Sequence, residues 1–155
     1  MKKMKNSKNK LSERAIACFN QGYCCSQAVL STYSEKVNLD KNIALQLSDS
    51  FGGGMGRMSL TCGAVTGAFM VIGLKYGRID AEDEAAKQKT RDLVREFIRK
   101  FETRNKTITC KELLACDIST DEGFQYAQEH NLIKTICPKF VADAVEILEE
   151  ILAQK

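Results

Sequence analysis

The chain has no tryptophan, one proline and one histidine. With so little proline, and with β-branched residues that rarely alternate with polar ones, the 3.6-residue helical period has little competition from strands. Without tryptophan or a basic face carrying interleaved aromatics, nothing in the chain resembles a nucleic-acid surface. No Ser-His-Asp set, pair of catalytic carboxylates or dinucleotide fingerprint is visible, so a substrate-converting enzyme is not supported; electron transfer needs none of these. The lysine-rich start lacks the apolar stretch of a secretory signal, since Leu11 is followed at once by Ser12, Glu13 and Arg14. The longest apolar run, Ala64 to Leu74, contains Thr66 and two glycines and is about half of a bilayer crossing. No membrane span is expected, and a reducing cytoplasm is the default compartment.

What is present fits one globular domain: 155 residues, 44% hydrophobic. The formal charge of +3 is outweighed by five lysines near the start, Lys2, Lys3, Lys5, Lys8 and Lys10. Residues 1–10 therefore read as a disordered, solvated tail and 11–155 as a single helical domain. The fold class is all-α, a compact bundle of about five to seven helices around an apolar central helix.

Ser12 can cap a first segment that Gly22 interrupts, and the helix resumes through Cys25, Ala28, Val29 and Tyr33. Asp40 can cap a short helix ending at the cluster Gly52, Gly53, Gly54 and Gly56. Cys62 to about Tyr76 is apolar on nearly all sides, as a central helix should be. Asp80 can cap a helix with the stripe Leu93, Val94, Phe97, Ile98 and Phe101. Thr109 and Glu112 have capping-box spacing, Thr120 can cap a further short helix, and Pro138 suits the first turn of a last one.

Seven cysteines in a reducing compartment read as ligands or redox groups rather than permanent disulfides, and an odd count cannot be fully paired. Cys62, Cys110 and Cys137 are expected at helix N-termini, with Cys25 a fourth example at a less defined boundary. Unpaired N–H groups and the positive end of the helix dipole stabilise a thiolate there. The separations are long, 37 residues from Cys25 to Cys62, then 48, then 27. No pair has the local spacing of a zinc knuckle or thioredoxin-type dithiol, so spacing alone does not bring them together. Cys18 falls on the apolar side of the first helix and reads as an ordinary small core residue, while Cys24 and Cys116 stay ambiguous, each close to a proposed ligand and able to serve as a spare thiol.

The segment Cys62-Gly63-Ala64-Val65-Thr66-Gly67 matches the CGAxxG signature of the C_GCAxxG_C_C family of redox-active proteins, which the chain resembles along nearly its whole length after the tail. Cys25-Ser26-Gln27-Ala28-Val29 resembles the family's upstream cysteine segment and Phe51 to Met55 its glycine-rich approach. Cys110 to Leu114 and Cys137 with Val141 resemble the last two cysteine elements. The resemblance implies a redox function and selects Cys25, Cys62, Cys110 and Cys137. The family is similar, more distantly, to the non-haem iron part of split-Soret cytochromes, where cysteines hold an iron-sulfur centre. This chain has no C-x-x-C-H motif, so covalent haem is not implied.

Three readings follow. Cys25, Cys62, Cys110 and Cys137 bind an iron-sulfur cluster, of the two-iron type, for electron transfer or sensing with a redox partner protein. Alternatively two of them form a reversible disulfide without metal, with Cys62 as the redox thiolate. Or the four hold structural zinc in a helical binding module. A second copy could complete a thin core, giving a homodimer. The glycine cluster lacks a P-loop ending and reads as a flexible loop that brings Cys62 into place. His130 reads as a surface residue rather than a nitrogen ligand, Met55 and Met58 as gap-filling core residues rather than soft ligands, and Asp80, Glu82, Asp83 and Glu84 as helix N-terminal charge.

Overall fold

The computed structural model describes residues 2–154, and of residues 2–9 the backbone alone; the tail expected to be disordered over 1–10 falls almost wholly outside the described side chains. The fold is all-α. The described residues form eight α-helices: α1 (Lys2–Asn20), α2 (Cys25–Tyr33), α3 (Lys41–Asp49), α4 (Gly63–Tyr76), α5 (Glu84–Asn105), α6 (Cys110–Leu114), α7 (Asp121–Glu129) and α8 (Leu132–Leu152). The described residues contain no strand, and a lone antiparallel bridge joins Thr61 to Thr109. No described helix is long and apolar enough to cross a membrane.

Several caps sit where side-chain chemistry puts them. Asp40 accepts from the Ile43 amide at 3.0 Å, and Thr120 from the Gly123 amide at 3.0 Å. Three boundaries differ from the sequence reading. α1 runs through Ser12 instead of starting there. α5 is capped by Asp83, whose carboxylate accepts from the Ala86 amide at 2.9 Å, while Asp80 closes a local turn onto the Glu82 amide. The last helix begins at Leu132, directly after left-handed Asn131, which leaves Pro138 inside it. Pro138 removes one helical bond, the one to the Lys134 carbonyl. Leu132, Ile133 and Ile136 pack against the core and hold the turns before it.

α4 is central as its apolar composition demands: Ala64, Val65, Ala68, Val71 and Ile72 are fully buried, and it packs on α2, α5 and α8. α8 shares that role, touching α1, α2, α4, α5, α6 and α7. Rings link α4, α5 and α8, with centroids of Phe69 and Phe97 at 5.9 Å, Phe97 and Phe101 at 5.9 Å, and Phe101 and Phe140 at 6.3 Å. Outside this core, Lys100 meets Glu150 at 2.7 Å and Arg104 meets Glu146 at 2.6 Å. These pairs are partly exposed, so each adds at most about 1 kcal/mol. The structure thus spends its strongest packing on fixing α4 and α8, which carry or adjoin two of the cysteines.

Candidate functional site

Three structural devices bring the dispersed cysteines together. The first is the close approach of α2 and α4. A Cβ at Gly63 would lie 3.0 Å from the Ser26 nitrogen and 3.2 Å from Cys25 Cβ; one at Gly67 would lie 2.9 Å from the Ser26 oxygen. Two glycines one turn apart therefore let the backbones touch, and Cys62, the N-cap of α4, comes beside Cys25, the first residue of α2. The second device is the Thr61–Thr109 bridge. Cys62 donates its amide to the Ile108 carbonyl at 2.8 Å and Cys110 donates to the Leu60 carbonyl at 2.6 Å, which joins Cys62 to Cys110, the first residue of α6. The third is the pairing of the Cys25 and Cys137 thiols, close enough that each shifts the titration of the other, which ties in α8.

The glycine-rich loop supports this arrangement from below. Gly53, Gly54, Met55, Gly56 and Arg57 have successive positive φ values, from 58° to 71°. A run of left-handed residues is unfavourable for any residue with a Cβ, so the glycines make it affordable. The loop closes on itself through Gly56 to Ser50 at 2.8 Å and Leu60 to Gly54 at 2.9 Å. A Cβ at Gly54 would come within 2.7 Å of Cys110 Cβ, so this loop packs directly on the third cysteine. The loop is ordered by its own hydrogen bonds rather than flexible.

All four cysteines face one cavity of about 720 Å³, together with Cys24, Gly52, Gly53, Gly54, Arg57 and Lys134 and an apolar wall that includes Phe19, Leu113, Ile133 and Phe140. Cys25, Cys62, Cys110 and Cys137 are each no more than 8% exposed. That burial decides their protonation. Cys62 is pushed up to about 12, because desolvation outweighs the Ala64 and Val65 amides that pull it down. Cys110 is pushed up to about 12 by burial and by the charges of Cys137, Asp117 and Cys116. Cys25 is raised through its pairing with Cys137 and by burial, while the same pairing lowers Cys137. Of the four, Cys137 is therefore the thiol whose charged form the metal-free cavity favours.

The helix-end argument holds for position at Cys25, Cys62 and Cys110, but not at Cys137, which lies in the second turn of α8. Its low pKa comes from a neighbouring thiol instead. Cys18 is outside the cavity, 3.6 Å from the Ser31 hydroxyl, and Cys116 donates to the Gly123 carbonyl at 3.2 Å. Cys24 is the fifth thiol on the cavity wall, held 3.2 Å from the Ser26 hydroxyl. His130 is exposed and stacks on Tyr126 at 4.0 Å. Met55 and Met58 are exposed rather than core, and neither lines the cavity. Arg57 and Lys134 were not singled out by the sequence. The run of glycines around Arg57 was the available signal for the first, and the one-turn spacing from Cys137 for the second. Among the described residues, no group of three or more His, Cys, Asp or Glu side chains forms a ready-made single-ion site.

The family model described as "Putative redox-active protein (C_GCAxxG_C_C)" matches residues 23–151, a stretch that contains all four cysteines of the cavity. The chain belongs to this family. No curated protein and no solved structure matches it. In this C_GCAxxG_C_C protein the CGAxxG segment has a clear physical purpose: its cysteine caps α4, and its two glycines admit α2. Cys18 lies outside the matched residues, as it lies outside the cavity.

Proposed function

We propose that this is a redox protein whose four thiols hold an iron-sulfur cluster, of the two-iron type, and exchange electrons with a partner protein. The observation that carries the reading is the convergence of the buried Cys25, Cys62, Cys110 and Cys137, from four separate segments, on one cavity whose wall contains no carboxylate. Four thiolates are the usual ligand set of such clusters, and a wall without carboxylates leaves sulfur as the only anionic ligand type there. When bound, the cluster supplies one-electron storage. The amides of Ala64 and Val65 lie near Cys62 sulfur and favour its charged form, an influence that stabilises added negative charge. Because burial keeps Cys62 and Cys110 protonated without metal, loading releases protons and is favoured by raised pH. Protein purified without oxygen should contain iron and acid-labile sulfide in near-equal amounts and absorb visible light. Cys62→Ser should lose the colour, and a coloured variant would overturn the reading. Zinc alone would indicate a structural four-cysteine site.

The pairing of Cys25 with Cys137, which lowers the Cys137 thiol, favours a second reading, a metal-free dithiol. Here Cys137, whose pKa is lowered, attacks rather than Cys62, which holds almost no thiolate near neutral pH. Formation of the Cys25–Cys137 disulfide releases two protons and passes two electrons to an oxidised partner dithiol or disulfide carrier. A free-thiol count that stays constant between oxidised and reduced metal-free samples would exclude it.

A further inference from the structure

We infer that the cavity beside the cysteines also binds a small organic anion, a carboxylate head on an apolar body. The proposal does not depend on which metal, if any, the cysteines hold. A cavity of about 720 Å³ is within the size range of small-molecule sites, and its wall is mostly apolar. Its charged lining residues are both cations, Arg57 and Lys134, and no Asp or Glu lines it. Such one-signed charge over an apolar wall complements an amphipathic anion.

Each cation is available. The Arg57 guanidinium stacks on Phe124, with its central carbon 4.1 Å from the ring centroid, which holds the plane and leaves edge N–H groups to form a fork to a carboxylate. Its ion-pair partner, Asp121, is fully exposed and 3.9 Å away, too distant and too solvated to satisfy it. Lys134 has no ion-pair partner among the described residues. It lies one turn before Cys137 on α8 and is solvent-exposed, so it marks the cavity rim. Beside Arg57 in the same loop, the amides of Gly53 and Gly54 donate to no carbonyl of the described residues. The head group therefore sits at the rim between Arg57 and Lys134, and the apolar body lies along Phe19, Ile133 and Phe140. Arg57 itself adopts a left-handed φ of 62°, a region that residues with a β-carbon rarely occupy.

The test uses the full chain as purified anaerobically and octanoate as probe, with 1-octanol as the uncharged control. Thiol alkylation is followed by peptide mass spectrometry. Cys24 reports the cavity wall and Cys18, outside it, is the internal control. Saturating octanoate should slow Cys24 modification at least fivefold and leave Cys18 unchanged, and octanol at the same concentration should protect far less. Arg57→Gln with Lys134→Gln should abolish the protection. Lys134→Gln alone, at an exposed position that does not endanger folding, should weaken half-maximal protection at least threefold. Equal protection by octanol, equal slowing of Cys18, no protection, or full protection in the Lys134 variant would each overturn the proposal. Metal content, measured on the same sample, bears only on the cluster.

Discussion

Two glycines in one helix should respond to alanine with opposite signs. At Gly67 a new Cβ would stand 2.9 Å from the Ser26 oxygen and 3.2 Å from Ser26 Cα and Val29 Cβ. The nearest atoms are backbone, which cannot rotate away, so α2 and α4 must separate. Such overpacking costs about 1 to 3 kcal/mol, and the gain in helix propensity offsets about 1 kcal/mol of it. The net loss is up to about 2 kcal/mol for Gly67→Ala, or a fall of up to roughly 6 °C in thermal midpoint for a domain of this size. At Gly73, two turns further along, nothing lies within 4 Å. Gly73→Ala keeps the propensity gain alone and should raise the midpoint by about 2 to 4 °C. Paired thermal and urea unfolding of the metal-free chains measures both. If Gly67→Ala is as stabilising as Gly73→Ala, then α4 does not press on α2 there, and the account of how Cys62 reaches Cys25 is wrong.

The protonation pattern predicts a pH dependence. Cys62 and Cys110 are held up to about 12 against an ordinary value of 9.0, so the folded chain retains protons that the unfolded chain releases. Stability of the metal-free protein is whole below pH 9 and falls as pH rises toward 12; urea midpoints between pH 8 and 11 check this, and a flat profile refutes it. Among the four cavity cysteines of the reduced, metal-free chain, limiting iodoacetamide at pH 8 should label Cys137 first, read by peptide mapping; initial labelling at Cys62 would contradict the charge assignment. Met55, with φ 67° in the glycine loop, carries a side chain where glycine is favoured. Met55→Gly should therefore add about 1 kcal/mol to the unfolding free energy, measured by urea denaturation.

The helices were legible because their signals are local. Asp40 and Thr120 cap where their side chains reach the next turn, and the apolar stretch after Cys62 is central, with Ala64, Val65, Ala68, Val71 and Ile72 fully buried although Leu74 near its end meets water. Pro138 misled for a physical reason: a proline without an amide suits a first turn, but it is also tolerated later where Leu132, Ile133 and Ile136 anchor the turns before it. The choice of cysteines came from the resemblance, whereas their meeting depends on contacts between segments that spacing does not encode. Charge at the site was the least legible part. Helix ends favour thiolates at Cys25, Cys62 and Cys110, yet burial overrides them, and only the tertiary pairing with Cys25 reveals Cys137.

The placement of Cys137 on α8 also sets an order of events during synthesis. A growing chain that has passed α6 already carries Cys25, Cys62 and Cys110, but the fourth sulfur and one wall of the cavity arrive only with the final helix. Because α8 packs on six of the other seven helices, the same event that supplies the last thiol also closes the core. Closure of the core and completion of the four-cysteine cavity therefore depend on the same helix.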